Sequence, residues 1–150
     1  LSSRDRVYST CVRSAMLHGC ETWAASSSTV NRLRRNDRAM IRWMCGVKPN
    51  DDTSTDSLLE KLCITDIETV LRKGRLRWLG HVERSSGWIS KVRKLEIEGR
   101  KGKGRQKQTW DVVVQRDRAH LGMGLIDPGD RKAWRGRLRS RLGSQATPSE

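Results

Sequence analysis

The sequence is poor in aromatic, apolar and acidic side chains. None of its 150 residues is Phe, one is Tyr, and 35% are hydrophobic, which is low for a globular domain. A small core of Leu, Val, Ile, Met and the six Trp residues can form, but a large one cannot. We therefore expect limited stability of the chain on its own.

Long hydrophobic runs are also missing. No stretch approaches the roughly 20 apolar residues that cross a bilayer, and no charged-then-apolar signal peptide opens the chain. We therefore expect no membrane partner and an intracellular location, in the nucleus and cytoplasm. Since the chain begins with Leu1 in place of Met, we expect it to be a piece of a longer product.

The shortage of acidic residues leaves a large positive charge. Seventeen Asp and Glu face 31 Lys and Arg, giving a formal net charge of +14. Nucleic acid is the default partner for such a balance. An anionic membrane surface is less favoured, because the basic residues do not occupy one clean amphipathic face.

Patterns typical of metal sites and catalytic sites are lacking. The four cysteines are widely spread, which favours free, partly buried thiols in a reducing compartment: Cys11, Cys20, Cys45 and Cys63. Their spacing with His18 matches no standard zinc motif. The one acidic pair, Asp51 and Asp52, lies in a turn-rich loop and is not expected to act as a metal-binding dyad. We expect no enzyme activity, cofactor, metal or small-molecule substrate.

Apolar spacing near the 3.6-residue period predicts a mainly α-helical chain. Helices are expected at about 4–18, 30–45, 56–63, 65–83, 109–122 and 130–142. Thr65 and Glu68 have the spacing of a capping box, and Thr109 can cap the helix that follows it. Gly74 indicates a kink or close packing inside its helix. Lys91 to Ile97 fit neither period well and are predicted as a short strand.

These elements suggest two subdomains. Residues 1–84 form a small helical bundle, and residues 85–142 form a smaller basic unit, short α+β or irregular, built around a flexible loop at 99–108. The tail at 143–150 is expected to be disordered.

The loop at 99–108, GRKGKGRQKQ, is the first candidate nucleic-acid contact. Three glycines separate its cations, Arg100, Lys101, Lys103, Arg105 and Lys107, so the backbone can follow a phosphate chain and displace counterions. Trp88 and Trp110 lie on either side, where they could stack on bases. A solvated linker and a nuclear localisation signal are the alternatives.

Two helical segments supply further candidates. Arg32, Arg35 and Arg42 belong to a helix with only Asp37 as an opposing charge, which indicates either a phosphate-binding surface or an ordinary solvated face. Arg75 and Arg77 lie in the segment RLRWLGHV. Its Trp78 and Leu79 are expected to pack in the core more readily than to stack on a base. His81 is compatible with a phosphate contact or a structural role.

Four blocks of sequence follow one another in a familiar order. They are YSTCVRSAMLHGCETW at 8–23, LRRNDRAMIRWMCGV at 33–47, RLRWLGHVER at 75–84, and the basic run ending GRQKQTW at 104–110 with DRKAWR at 130–135. Together they resemble the region after the palm of LINE-type (non-LTR) retrotransposon endonuclease–reverse transcriptases of animals.

The resemblance implies a thumb-like helical region followed by a C-terminal extension. The expected function is non-catalytic binding of RNA, DNA or an RNA–DNA hybrid, gripping the template–primer while the palm domain of the parent reverse transcriptase polymerises. The palm itself is absent, and Gln106 and Gln108 replace the family's usual Pro and Lys. The alternatives are a structural module that docks on a palm domain and a degenerate transposon remnant without function.

Overall fold

The chain is mainly α-helical, which confirms the predicted fold class. The structure is a computed structural model that describes residues 3–48, 50–93, 95, 104 and 108–143, with only the backbone at 141–143, and it contains no strand in these ranges. Its α-helices are α1 (Ser3–Val7), α2 (Arg13–Met16), α3 (Ser27–Met44), α4 (Thr55–Lys61), α5 (Ile67–Arg84), α6 (Trp88–Arg93), α7 (Trp110–His120) and α8 (Arg131–Gly143). A π-helical turn (Tyr8–Val12) joins α1 to α2, and a 3-10 turn (Cys20–Thr22) follows. The tail predicted as disordered lies, from residue 144 onward, outside the described residues.

Side-chain caps fix the starts of the longer helices. Thr109 accepts a hydrogen bond from the backbone N–H of Val112 at 3.5 Å, as predicted for α7. At α5 the predicted capping box is wrong, because Asp66 and not Thr65 caps the helix by accepting from the N–H of Glu68 at 2.9 Å. This start places Ile67, which is fully buried, at the first helical position.

Two clusters of buried apolar side chains form most of the core in the described residues. The first joins the N-terminal turn to α3, α4 and the loop after α4: Tyr8, Ile41, Leu58, Leu59 and Ile64. The second joins α5, α7 and α8 with the loop between the last two: Leu76, Leu79, Val114, Met123, Trp134 and Leu138. The second half of α5 thus shares a core with the chain beyond residue 84, although the sequence suggested a subdomain boundary there.

A buried polar cluster holds the first helical segment against α3. The hydroxyl of Tyr8 donates to Oδ1 of Asp37 at 2.6 Å, and Nη2 of Arg13 donates to Oδ2 at 3.3 Å. Asp37 is fully buried. Because Tyr8 and Arg13 face inward, the neighbouring apolar side chains Val7 and Val12 are left 56% and 40% exposed.

The predicted strand at Lys91 to Ile97 is wrong where the structure describes it, since Lys91 to Arg93 belong to α6. The guanidinium of Arg93 pairs with Glu83 of α5 and, at 3.0 Å, with Asp111 of α7. It also lies over the Trp110 ring, 5.5 Å from the centroid. These contacts with residues far away in the sequence hold the end of α6. They cannot be inferred from local apolar periodicity.

The close approach expected at Gly74 occurs at Gly80. A Cβ on Gly80 would lie 2.6 Å from Nε1 of Trp134, whereas one on Gly74 would meet Cys20 Sγ at an ordinary 3.7 Å. Trp134 is 1% exposed, and its Nε1 donates to the carbonyl of Leu76 at 3.0 Å. Gly80 is therefore where α8 docks on α5.

Candidate nucleic-acid interface

A groove between α5 and α8 gathers cationic side chains from both helices. We define this basic groove by its six cations, three from each helix: Lys73, Arg77, Arg84, Arg131, Arg135 and Arg139. Its volume is about 980 Å³. Within each helix the cations are spaced by four or seven residues, which places them on one face. Docking of Trp134 on Gly80 brings the two faces together.

The charges of the basic groove are largely uncompensated. Glu21 is the one carboxylate that lines it in the described part of the chain. No ion pair with a carboxylate involves any of the six cations there, and Arg84 donates only to the carbonyl of Pro128, at 2.6 Å. A cleft lined by one sign of charge concentrates ions of the opposite sign. The groove therefore suits a polyanion.

An aromatic pair lines the same groove. Trp78 is half-buried and His81 is exposed, with ring centroids 5.2 Å apart. The indole N–H groups of Trp110 and Trp134 donate to backbone carbonyls, but that of Trp78 makes no hydrogen bond with any residue described. Trp78 thus offers the groove an indole donor and an aromatic surface, chemistry that suits an unpaired base. Leu79 beside it is in the core, as predicted, whereas Trp78, which was predicted to pack in the core as well, lines the groove.

The predicted binding arginines fall into different environments. Arg77 lines the basic groove. Arg32 and Arg35 are exposed on α3, which contributes no residue to the groove. The predicted loop residues lie outside the described residues: Arg100, Lys101, Lys103, Arg105 and Lys107.

Arg42 and Arg75, both predicted to contact nucleic acid, have hydrogen-bond partners within the chain. Arg42 donates to the carbonyls of Thr53 and Lys48, both at 2.6 Å, and these hydrogen bonds stabilise the loop after α3. Arg75 is 3% exposed, and its Nε donates to Asp117 at 2.6 Å. Charge alone could not distinguish these arginines from solvent-facing ones, because their partners are backbone carbonyls or a distant carboxylate.

Five groove cations were missed by the sequence analysis: Lys73, Arg84, Arg131, Arg135 and Arg139. Their four-residue and seven-residue spacing was a usable signal, since it predicts a basic face on each helix. The pairing of the two faces depends on the Trp134 contact and could not be read from spacing.

The four thiols differ in accessibility. Cys11, Cys45 and Cys63 are exposed, whereas Cys20 is 6% exposed, and this burial raises the pKa of its thiol. All four are free. In the described ranges no group of three or more His, Cys, Asp or Glu side chains could hold a metal ion. Nor is any helix there long and apolar enough to span a bilayer.

Comparison of the chain with protein-family models, with curated proteins and with solved structures finds no match in any of the three.

Proposed function

We propose that this chain binds nucleic acid non-catalytically and with little sequence preference, through the basic groove between α5 and α8. One observation carries the proposal: six cations from two helices line one groove and form no ion pair with a carboxylate in the described part of the chain. Arg and Lys in such a groove can follow a phosphate backbone and release its counterions. The Trp78 surface adds a stacking contact that tolerates any base.

The biological role that we propose follows from the sequence resemblance. The chain would act as the C-terminal part of a retrotransposon reverse transcriptase and grip RNA or an RNA–DNA template–primer. Catalysis would belong to the palm domain of the parent protein, and the site of action would be the cytoplasm and nucleus. The groove supports the binding component of this role, and the resemblance supports the rest.

The first test is fluorescence anisotropy of the full chain across a salt series, with an RNA–DNA hybrid, single-stranded RNA and duplex DNA. If all six groove cations contact phosphates, log K should fall against log salt with a slope of about −5 on duplex DNA and about −4 on a single strand. Strongest binding on the hybrid would favour the template–primer role. Absence of binding at moderate salt would contradict the proposal and favour a remnant without function.

A matched pair of variants locates the binding surface. Arg77→Gln with Arg135→Gln removes one cation from each wall of the groove, and should make the salt slope on duplex DNA shallower by about 2. Arg4→Gln with Arg6→Gln removes the same charge from exposed positions on α1 and should leave the slope within error of wild type. Equal effects of the two pairs would mean that net charge, and not the groove, determines binding.

The predicted surfaces outside the groove need their own variants. Arg32→Gln with Arg35→Gln tests α3, and replacement of the loop Lys and Arg residues at 100–107 by Gln tests the loop. Each set should flatten the salt dependence only if its cations contact phosphate. A slope unchanged by either set would restrict the site to the groove.

A structural docking module is the second candidate function. It is favoured by the outward-facing Val7 and Val12, which the inward polar cluster leaves exposed. If these side chains form a contact surface, the isolated chain should self-associate with rising concentration, and Val7→Ser with Val12→Ser should abolish this. Light scattering after gel filtration measures both. A chain that stays monomeric at high concentration would count against a docking role.

A further inference from the structure

A smaller cavity lies on the face of α5 opposite the basic groove. It has a volume of about 160 Å³ and is lined by the start of α3, by α5 and by α7. Arg72 and Arg75 of α5 line it, whereas Lys73 and Arg77 line the groove. At about 100° per residue, these two pairs point away from each other.

Two side chains that line this cavity each carry a buried donor atom with no acceptor among the described residues. Arg75 is 3% exposed, and its Nη1 has no hydrogen-bond partner although Nε is bonded to Asp117. The Nε2 of Gln108 is also buried without a partner. Buried donors are normally satisfied, because leaving them unpaired costs free energy. A group that accepts hydrogen bonds from both would remove that cost.

The charges around the cavity favour an anion. Its two carboxylates are already engaged: Asp117 with Arg75, and Glu68 with Arg72. Arg116 lines the cavity from α7, is exposed, and has no ion-pair partner among the residues described. Among the described residues, the lining thus carries three guanidinium groups against two carboxylates. The cavity has room for on the order of five water molecules, so one bridging water would not fill it.

We propose that this cavity is a binding site for one phosphate-sized anion, held by Arg75, Gln108 and Arg116. Arg75 is buried and held by Asp117, Gln108 is partly buried with a buried Nε2, and the exposed Arg116 adds charge at the rim. The anion is either free inorganic phosphate or a phosphate group of a bound strand, since the recognition chemistry is the same. The site does not depend on nucleic-acid binding in the groove.

Calorimetric titration of the full chain with inorganic phosphate at constant ionic strength tests the site. Gln108→Glu places a carboxylate where the anion would bind and should weaken phosphate binding by at least about tenfold, as expected for losing a hydrogen bond to a charged group. Gln115→Glu makes the same charge change at an exposed position of α7 and should leave the affinity unchanged. Circular dichroism of both variants verifies that they fold.

The groove variant separates the two sites. Arg77→Gln with Arg135→Gln should retain wild-type phosphate affinity if the anion binds in the cavity. The proposal is overturned if wild type shows no saturable binding, if Gln108→Glu binds as wild type does, or if the groove variant alone loses binding. The last result would leave nucleic-acid binding in the groove intact.

The source of the anion is decided with single-stranded RNA in phosphate-free buffer. If Gln108→Glu weakens RNA binding relative to Gln115→Glu, the cavity takes a phosphate of the strand. If both variants bind RNA equally while only Gln108→Glu loses inorganic phosphate, the cavity takes the free ion. Either result supports an anion site.

Discussion

Replacing Gly80 by Ala should destabilise the protein, although the same change inside a helix is ordinarily stabilising. Ala has a higher helix propensity than Gly, by about 1 kcal/mol. At Gly80, however, the new Cβ would lie 2.6 Å from Nε1 and 2.8 Å from Cδ1 of Trp134. Trp134 is 1% exposed and packs in the second core cluster, so its ring cannot move aside freely.

The magnitude follows from two costs and one gain. Overpacking a filled core costs about 1–3 kcal/mol. Displacing Trp134 also breaks its hydrogen bond to the Leu76 carbonyl, and a buried donor left unpaired costs about 1–3 kcal/mol. After the propensity gain of about 1 kcal/mol, the free energy of unfolding should fall by about 1–5 kcal/mol.

Gly74→Ala is the matched control on the same helix. Its Cβ would meet Cys20 Sγ at 3.7 Å, an ordinary contact, so this variant should be more stable than wild type by up to about 1 kcal/mol. Urea unfolding followed by far-ultraviolet circular dichroism measures both. A Gly80→Ala protein as stable as wild type, or a shift of stability in the same direction in both alanine variants, would refute the clash with Trp134.

Three other substitutions or reactions probe the buried polar groups. Tyr8→Phe removes the hydroxyl that donates to Asp37 and should lower the free energy of unfolding by about 1–3 kcal/mol in urea titrations; no change would mean that the bond contributes nothing. Asp117→Ala leaves the buried Arg75 without its carboxylate and should cost about 3–5 kcal/mol, whereas a thermal midpoint equal to that of wild type would contradict the assigned role. Cys20 should react slowly with a thiol reagent while the three exposed cysteines react fast, and four equal rates would argue against its burial. Burial raises the pKa of the Cys20 thiol. The protonated thiol therefore contributes to the free energy of unfolding below the unfolded-state pKa, and this contribution is lost as pH rises through the higher folded-state pKa.

The helices could be predicted from the sequence because their apolar spacing and caps are local. Thr109 caps α7 as expected, and the apolar residues Val70, Leu71 and Leu79 set the phase of α5. The start of α5 was predicted one residue early because Thr65 and Asp66 are both good caps. The choice between them is made by the burial of Ile67, which is a tertiary effect.

Contacts between distant residues account for what the sequence did not reveal. Arg93, in the last turn of α6, pairs with Glu83 and Asp111, and the apolar pattern around Lys91 gives no local signal for a helix. The first helical segment turns polar side chains inward because Tyr8 donates a hydrogen bond to Asp37 of α3, which lies 29 positions further along the chain.

The candidate site was only partly predictable for the same reason. A basic face could be found on α5 and on α8 separately. Which arginines face solvent depends on partners such as Asp117, and that information is absent from charge patterns.

The central position of α5 has a consequence for how the chain unfolds. Its residues contact α3, α6, α7 and α8, and Leu76 and Leu79 belong to the core cluster that closes the C-terminal part. Loss of the packing on either side of α5 would expose apolar surface on this helix. The N-terminal and C-terminal parts of the chain should therefore unfold together as one cooperative unit. Amide protons in the middle of α5 should then exchange with solvent only through global unfolding, more slowly than those of α6. Cutting the chain at residue 84 would leave two fragments that each lack half of a shared core.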